Sequence, residues 1–193
     1  MTLPQPKRGI TPRDFYHQYI PELWAALVGP VPALVGVTAG VSVAGDGEYA
    51  IALTDAGLAT SDGKPADALL VFNTDVASWR IALIELLPRV LKHIEPKVTP
   101  TKVALHLGRI DLGGLRKAPG SLTLVFEDDA GDEAKVVLTV GESGGPAASI
   151  HVTDTELWRL LESGIKLSQL VRSRVKVSGD LGYLLTLARV AEG

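Results

Sequence analysis

Gly141-Glu142-Ser143-Gly144-Gly145 fits G-x-S-x-G, a spacing that can place a serine nucleophile on a sharp turn. Such an elbow runs from strand to helix, with an acid and then a histidine further along the chain. Here apolar alternation lies on both sides of the loop, so it joins strand to strand. His151, the one histidine downstream, sits inside the next strand. A glycine-rich turn accounts for the run. Asp128, Asp129, Asp132 and Glu133 gather carboxylates without the spacing of a calcium loop, and read as a polar turn. His17, His93, His106 and His151 are scattered, with no pair at metal-ligand spacing. Cysteine is absent, which excludes disulfides, thiolate metal sites and cysteine nucleophiles. The chain is therefore expected to be no enzyme, with no catalytic residue, no metal and no cofactor.

What must position any site is an α+β set of elements. Residues 1–10 read as a disordered lead. Thr11-Pro12 opens a helix with a cap and a proline at its first turn. Phe15, Tyr19, Leu23, Trp24 and Leu27 follow at helical spacing. Val35, Val37, Val41 and Val43 alternate as a strand, Gly45-Asp46-Gly47 turns, and Tyr49, Ile51 and Leu53 return as a hairpin. Leu69–Phe72 is a short buried strand. Thr74 or Asp75 then caps a helix carrying Trp79, Leu83, Leu86 and Leu87, which Pro88 kinks. Pro96 and Pro100 bracket a linker. The stretch Val103, Leu105, Leu107, Ile110, Leu112 reads equally as a strand or as a short helix followed by a strand. Strands follow at Leu122–Phe126, Val136–Val140 and Ile150–Val152. Thr153 and Glu156 form a capping box. Val175 and Val177 mark a last strand before a final helix.

Leu23–Gly45 carries no charge and is long enough to span a bilayer. Pro30, Pro32 and the glycines break it, so it reads as a helix end, a turn and a strand. Hydrophobic residues make up 46% of the 193, enough for a sizeable core, while the net charge of −3 is spread without a basic stripe. That pattern argues against nucleic-acid binding. Met1–Asp14 has no apolar run after its cations and is no signal peptide; a cytoplasmic location is expected.

The chain echoes itself. Thr74-Asp75-x-x-x-Trp79-Arg80 and Thr153-Asp154-x-x-x-Trp158-Arg159 share one pattern, each after a hairpin-like region and a short apolar strand. Arg109-Ile110-Asp111-Leu112-x-Gly114 and Arg174-Val175-Lys176-Val177-x-Gly179 form a second pair. Two units, 11–97 and 98–193, are expected from a duplication, with a single fused domain as the alternative.

The C-terminal half carries Gly120-Ser-Leu-Thr-Leu-Val-Phe, then Pro146-Ala-Ala-Ser-Ile-His-Val-Thr-Asp. Ser163-Gly164-Ile-Lys-Leu and Arg174-Val-Lys-Val-Ser-Gly-Asp-Leu-Gly follow. This series resembles the sterol-carrier-protein-2-like family over 120–190, with a weaker match over 12–80. Ser168 and Ser173 stand where the family usually has proline and glycine. The resemblance implies a sheet covered by helices on one face, with an apolar tunnel between them that holds a sterol, fatty acyl chain or phospholipid. It points to Trp158, Leu157, Leu161, Leu170, Val171, Leu184, Leu187 and Trp79 as ligand contacts. The implied partners are an apolar small molecule, no nucleic acid, a transient membrane contact and a second copy in a homodimer. Lys166, Arg172, Arg174 and Lys176 would place positive charge near the tunnel's mouth. The competing expectation is a structural or dimerisation module with a filled core.

Overall fold

A computed structural model describes residues 3–95, 99–128, 130–141, 144–163 and 175–192. Thr11 caps the first helix as its type requires, its side chain accepting from the Asp14 N–H at 3.1 Å. This helix, α1 (12–27), is π-helical over Phe15–Tyr19. Its counterpart α2 (76–94) is π-helical over Arg80–Leu86. In each, a proline follows the widened stretch by two residues, Pro21 and Pro88. Proline lacks an N–H and clashes with the carbonyl four residues back, and a wider turn relieves that clash without ending the helix. The uncharged segment 23–45 resolves into the end of α1, a 3-10 turn at Pro32–Leu34 and the first strand. No described helix is long and apolar enough to cross a membrane.

The strands are β1 (Thr38–Ala44), β2 (Gly47–Thr54), β3 (Gly57–Asp62), β4 (Leu70–Asp75), β5 (Gly120–Glu127), β6 (Glu133–Val140), β7 (Ala147–Thr153) and β8 (Lys176–Gly179). They form one mixed sheet in the order β3-β2-β1-β4-β6-β5-β7-β8. β1 and β5 each pair antiparallel with the next strand in sequence and parallel with the strand that leads into a helix. The strands of 11–97 and those of 98–193 meet along an antiparallel β4–β6 seam, from Leu70↔Val140 to Asn73↔Val137. The remaining helices among the described residues are α3 (Pro100–Leu107), α4 (Leu112–Arg116), α5 (Asp154–Ser163) and α6 (Leu181–Glu192).

The register puts Val41, Val43, Ile51, Phe72, Leu122, Leu138, Ile150 and Val152 on one face of the sheet. The helices pack there. Phe15, Tyr16, Leu23, Trp79 and Leu91 bury against the β1–β2 end, and Leu184, Leu187 and Val190 against β5–β7. The opposite face carries Ser42, Ala50, Thr123, Thr139 and Ser149, the alternation expected of a sheet covered on one side. The fold is thus α+β with helices on one face.

Three expectations change. Residues 3–10 are not a disordered lead. Leu3 is buried in the α1–α2 core, its N–H donates to Glu95 at 2.9 Å, and the Tyr19 hydroxyl donates to the Pro4 carbonyl. The ambiguous stretch is two helices, α3 and α4, with no strand. Thr99 and Asp111 cap them through the N–H groups of Lys102 and Gly114. The second echo fails for the same reason: Asp111 starts a helix, whereas Lys176 at the matching place pairs with His151 across β7–β8.

The first echo does fall on equivalent strand-to-helix junctions, but its caps differ. Thr153 and Glu156 close the expected capping box at α5. At α2 it is Asp75 that accepts from the Ser78 N–H at 2.8 Å. That hydrogen bond holds the Asp75 carboxyl below the ordinary carboxylate range. Asp75→Ala is expected to cost about 1 kcal/mol in urea denaturation near neutral pH. The carboxyl's folded pKa is depressed, so its stabilisation is present above the unfolded pKa and lost as pH falls through the folded value. The gap between wild type and variant should therefore close in acid.

Candidate functional site

Between the covered face of the sheet and the helices lies an apolar cavity of about 450 Å3. Its floor is a row of side chains across six strands. Leu58 faces Leu53, Ala39 sits between Ile51 and Leu70, and Leu138 sits between Phe72 and Leu122. At about 4.8 Å per strand the row runs about 24 Å. The roof comes from Trp24 of α1, Leu34 of the 3-10 turn, Leu107 of α3, Leu112 and Leu115 of α4, and Leu187 and Val190 of α6. Every lining residue among the described ones is apolar. The only nitrogen among their side chains, Trp24 Nε1, is buried and makes no hydrogen bond. Leu70 and Phe72 stay only half-buried although β4 lies in the middle of the sheet. None of the described residues fills the space above them.

Of the residues singled out in sequence, Leu187 lines this cavity and Leu184 lies fully buried in the core beside it. Trp79 does not reach it. It is fully buried under the other end of the sheet, edge-on to Phe15 at 5.4 Å, because α2 starts where β4 ends and turns the ring onto Val41 and Val43. Trp158 is also elsewhere. Its Nε1 donates to Asp154 at 3.1 Å, the Arg89 guanidinium lies 5.1 Å from its ring, and Arg89 pairs with Asp154 at 2.8 Å. It fastens α5 to α2. Leu157 lines a separate small pocket of about 50 Å3 with Phe126 and Val152. The side chain of Leu161, together with Leu170 and Val171, lies outside the described residues, as do Ser143, Lys166, Arg172 and Arg174.

Sequence reasoning missed most of the wall, including Leu58 of β3, Leu107 of α3, Leu112 and Leu115 of α4, and Ile110 in the connection between those two helices. One signal was present, since Thr99-Pro100 repeats the Thr11-Pro12 opening of α1.

Two polar constellations lie away from the cavity. His17 Nε2 is 2.9 Å from Asp62 and its Nδ1 3.3 Å from the Thr60 hydroxyl, while Arg13 also pairs with Asp62 at 2.8 Å. The order hydroxyl–imidazole–carboxylate is that of a nucleophile relay. Here the carboxylate is shared with Arg13 in an exposed link between α1 and the edge strand β3, and its effect is to tie the two together. On the uncovered face, potential ligand atoms of Glu127, Glu133 and His151 lie within 4.8 Å of one another, and His151 already pairs with Glu127 at 3.0 Å. The set has the chemistry to hold a divalent cation, but it is open to solvent and faces away from the cavity.

Among solved structures, the chain is similar to sterol carrier protein 2 from Yarrowia lipolytica in its apo form, with 12% identity and a TM-score of 0.32, covering 56% of this chain and 88% of that one. It is also similar to a UbiJ-SCP2 ubiquinone synthesis protein, with 10% identity and a TM-score of 0.29, covering 95% and 93%. No protein-family model and no curated protein matches it.

Proposed function

We propose that this protein binds and carries an apolar, lipid-like ligand in the cavity between sheet and helices, without catalysis. One observation carries the reading: about 450 Å3 of space whose described lining residues are all apolar. Small-molecule pockets span about 300–1,000 Å3. Water is a poor filler, because each molecule needs two to four polar partners and the described side chains of the wall offer one, the Trp24 indole N–H. A sterol, a fatty acyl chain or a phospholipid tail satisfies such a wall through shape and dispersion alone. The resemblance of segment 120–190 to a lipid-carrying family agrees with this reading.

Trp24 supplies the assay. It lines the cavity, whereas Trp79 and Trp158 do not. Titration with a brominated fatty acid is expected to quench tryptophan emission in the wild type, in Trp79→Phe and in Trp158→Phe, but not in Trp24→Phe. Native mass spectrometry before and after denaturing extraction should release a co-purified lipid. A protein that yields no lipid and binds neither fatty-acid nor sterol probes is no carrier.

A further inference from the structure

The uncovered face of the sheet carries a set of side chains that no spacing along the chain reveals, because three strands assemble it. Glu127 ends β5, Glu133 opens β6 and His151 lies in β7. Glu127 and Glu133 are direct partners across the antiparallel pair, and His151 sits beside Val125, two residues back along β5. His151 Nε2 lies 3.0 Å from Glu127 Oε2, and one potential ligand atom from each of the three falls within 4.8 Å of the others. Like charges directly opposite each other weaken a strand pair, yet this register holds two carboxylates that way. Lys135 and Lys176 flank the set on the same face, opposite Val125 and His151. Neither relieves it, for no ion pair among the described residues involves Glu133, Lys135 or Lys176. Local charge favours a cation even with both lysines counted, since the hairpin sequence holds Glu127, Asp128, Asp129, Asp132 and Glu133. Asp128 is occupied in closing the turn, where it accepts from the N–H groups of Ala130 and Asp132.

We propose that Glu127, Glu133 and His151 form a binding site for a divalent transition-metal ion such as zinc. Imidazole suits zinc, copper, iron and nickel, whereas magnesium and calcium take oxygen ligands. The protein supplies three ligands and solvent the fourth, because the site opens to water. At ion–ligand distances of about 2.0–2.2 Å, tetrahedral ligand atoms stand about 3.3–3.6 Å apart. The His151–Glu127 pair is already that close, and the exposed Glu133 side chain closes the set by rotation. The ion takes the place of the proton that now bridges Nε2 and the carboxylate, a group that only accepts. Joining β6, β5 and β7 through one ion removes the carboxylate repulsion and pins the end of the sheet from which α5 starts. The site lies on the far side of the sheet from the cavity and does not depend on what fills it.

The test is calorimetric titration of the full, tag-free chain with zinc after treatment with a chelator, with magnesium as the control ion. Zinc should bind one to one and raise the melting temperature, while magnesium does neither. Loss of a group that merely orients a ligand costs about 10–100-fold in metal affinity, so Glu133→Gln and His151→Gln should each weaken zinc binding at least about tenfold. His17→Gln, in the other histidine–carboxylate constellation, should bind zinc as the wild type does. Without metal, Glu133→Gln should melt no lower than the wild type, because it removes one of two apposed charges and breaks no described contact. Zinc should then fail to raise its melting temperature. Absence of saturable zinc binding overturns the site. So does a His151→Gln variant that binds as tightly as the wild type, or a Glu133→Gln variant that zinc stabilises equally.

Discussion

Trp79→Ala should lower the free energy of unfolding by about 3–5 kcal/mol, the cost of truncating a fully buried large aromatic. The ring is wholly shielded from solvent and sits edge-on to Phe15, which also contacts Tyr16 and Tyr19. Tyr16 stacks in turn on Tyr49 of β2, whose hydroxyl donates to Asp46 in the β1–β2 turn. Removing the indole leaves a hole at the point where α1, α2 and the sheet converge, and edge-to-face ring contacts add about 0.5–1.5 kcal/mol to the burial lost. Burial also raises the Tyr16 hydroxyl's pKa far above its ordinary range. That phenol therefore stays neutral and remains part of the apolar cluster. Urea denaturation checks the prediction. Trp79→Phe keeps the ring contact and should recover part of the loss. A cost below about 1 kcal/mol would mean that α1 and α2 do not share this core.

Ala39→Phe should abolish ligand binding without unfolding the protein. Ala39 lies on the cavity floor between Ile51 and Leu70, and it is half-buried because open space stands above it. A phenyl ring there occupies that space, so the overpacking penalty of a filled core does not arise, and the added apolar burial offsets the rotamer entropy lost. Affinity for a fatty-acid or sterol probe should fall at least about tenfold, which is about 1.4 kcal/mol, with the melting temperature unchanged or raised. If the protein were instead a packed structural module, Ala39→Phe would overfill the core and destabilise it. The direction of the stability change thus separates carriage from the module reading independently of the ligand chosen.

Much of this architecture was legible from sequence because short-range chemistry fixed it. The capping box at Thr153 and Glu156, the Thr11-Pro12 helix start and the valine alternation of β1 are local patterns that tertiary packing did not override. α3 was not legible, and the cause is one side chain. Val103, Leu105 and Leu107 alternate like a strand, but only Val103, Ala104 and Leu107 pack inward. Leu105 points outward, so the apparent period of two arose from a residue that is not core. β3 was missed because it is an edge strand whose one large apolar side chain is Leu58, too little to register as an alternation. The cavity was out of reach for a different reason. It exists where side chains are small or fall short, as at Ala39, and a sequence records residues rather than the gaps between them. Trp79 and Trp158, alike in their sequence setting, accordingly ended in unlike surroundings, one in a core and one in a surface clasp with Arg89.

The β4–β6 seam sets how the binding wall is inherited. Strands β1–β4 bring Leu58, Ile51, Ala39 and Phe72 to the cavity, and the later half of the chain brings Leu122, Leu138, Leu115 and Leu187. The row that forms the floor crosses the seam at Phe72 and Leu138. Neither half encloses the space alone, so ligand occupancy reports whether the two halves are joined. A chain divided between Glu95 and Thr99 would become a two-piece sensor, in which an apolar ligand is the glue and its fluorescence signals reassembly.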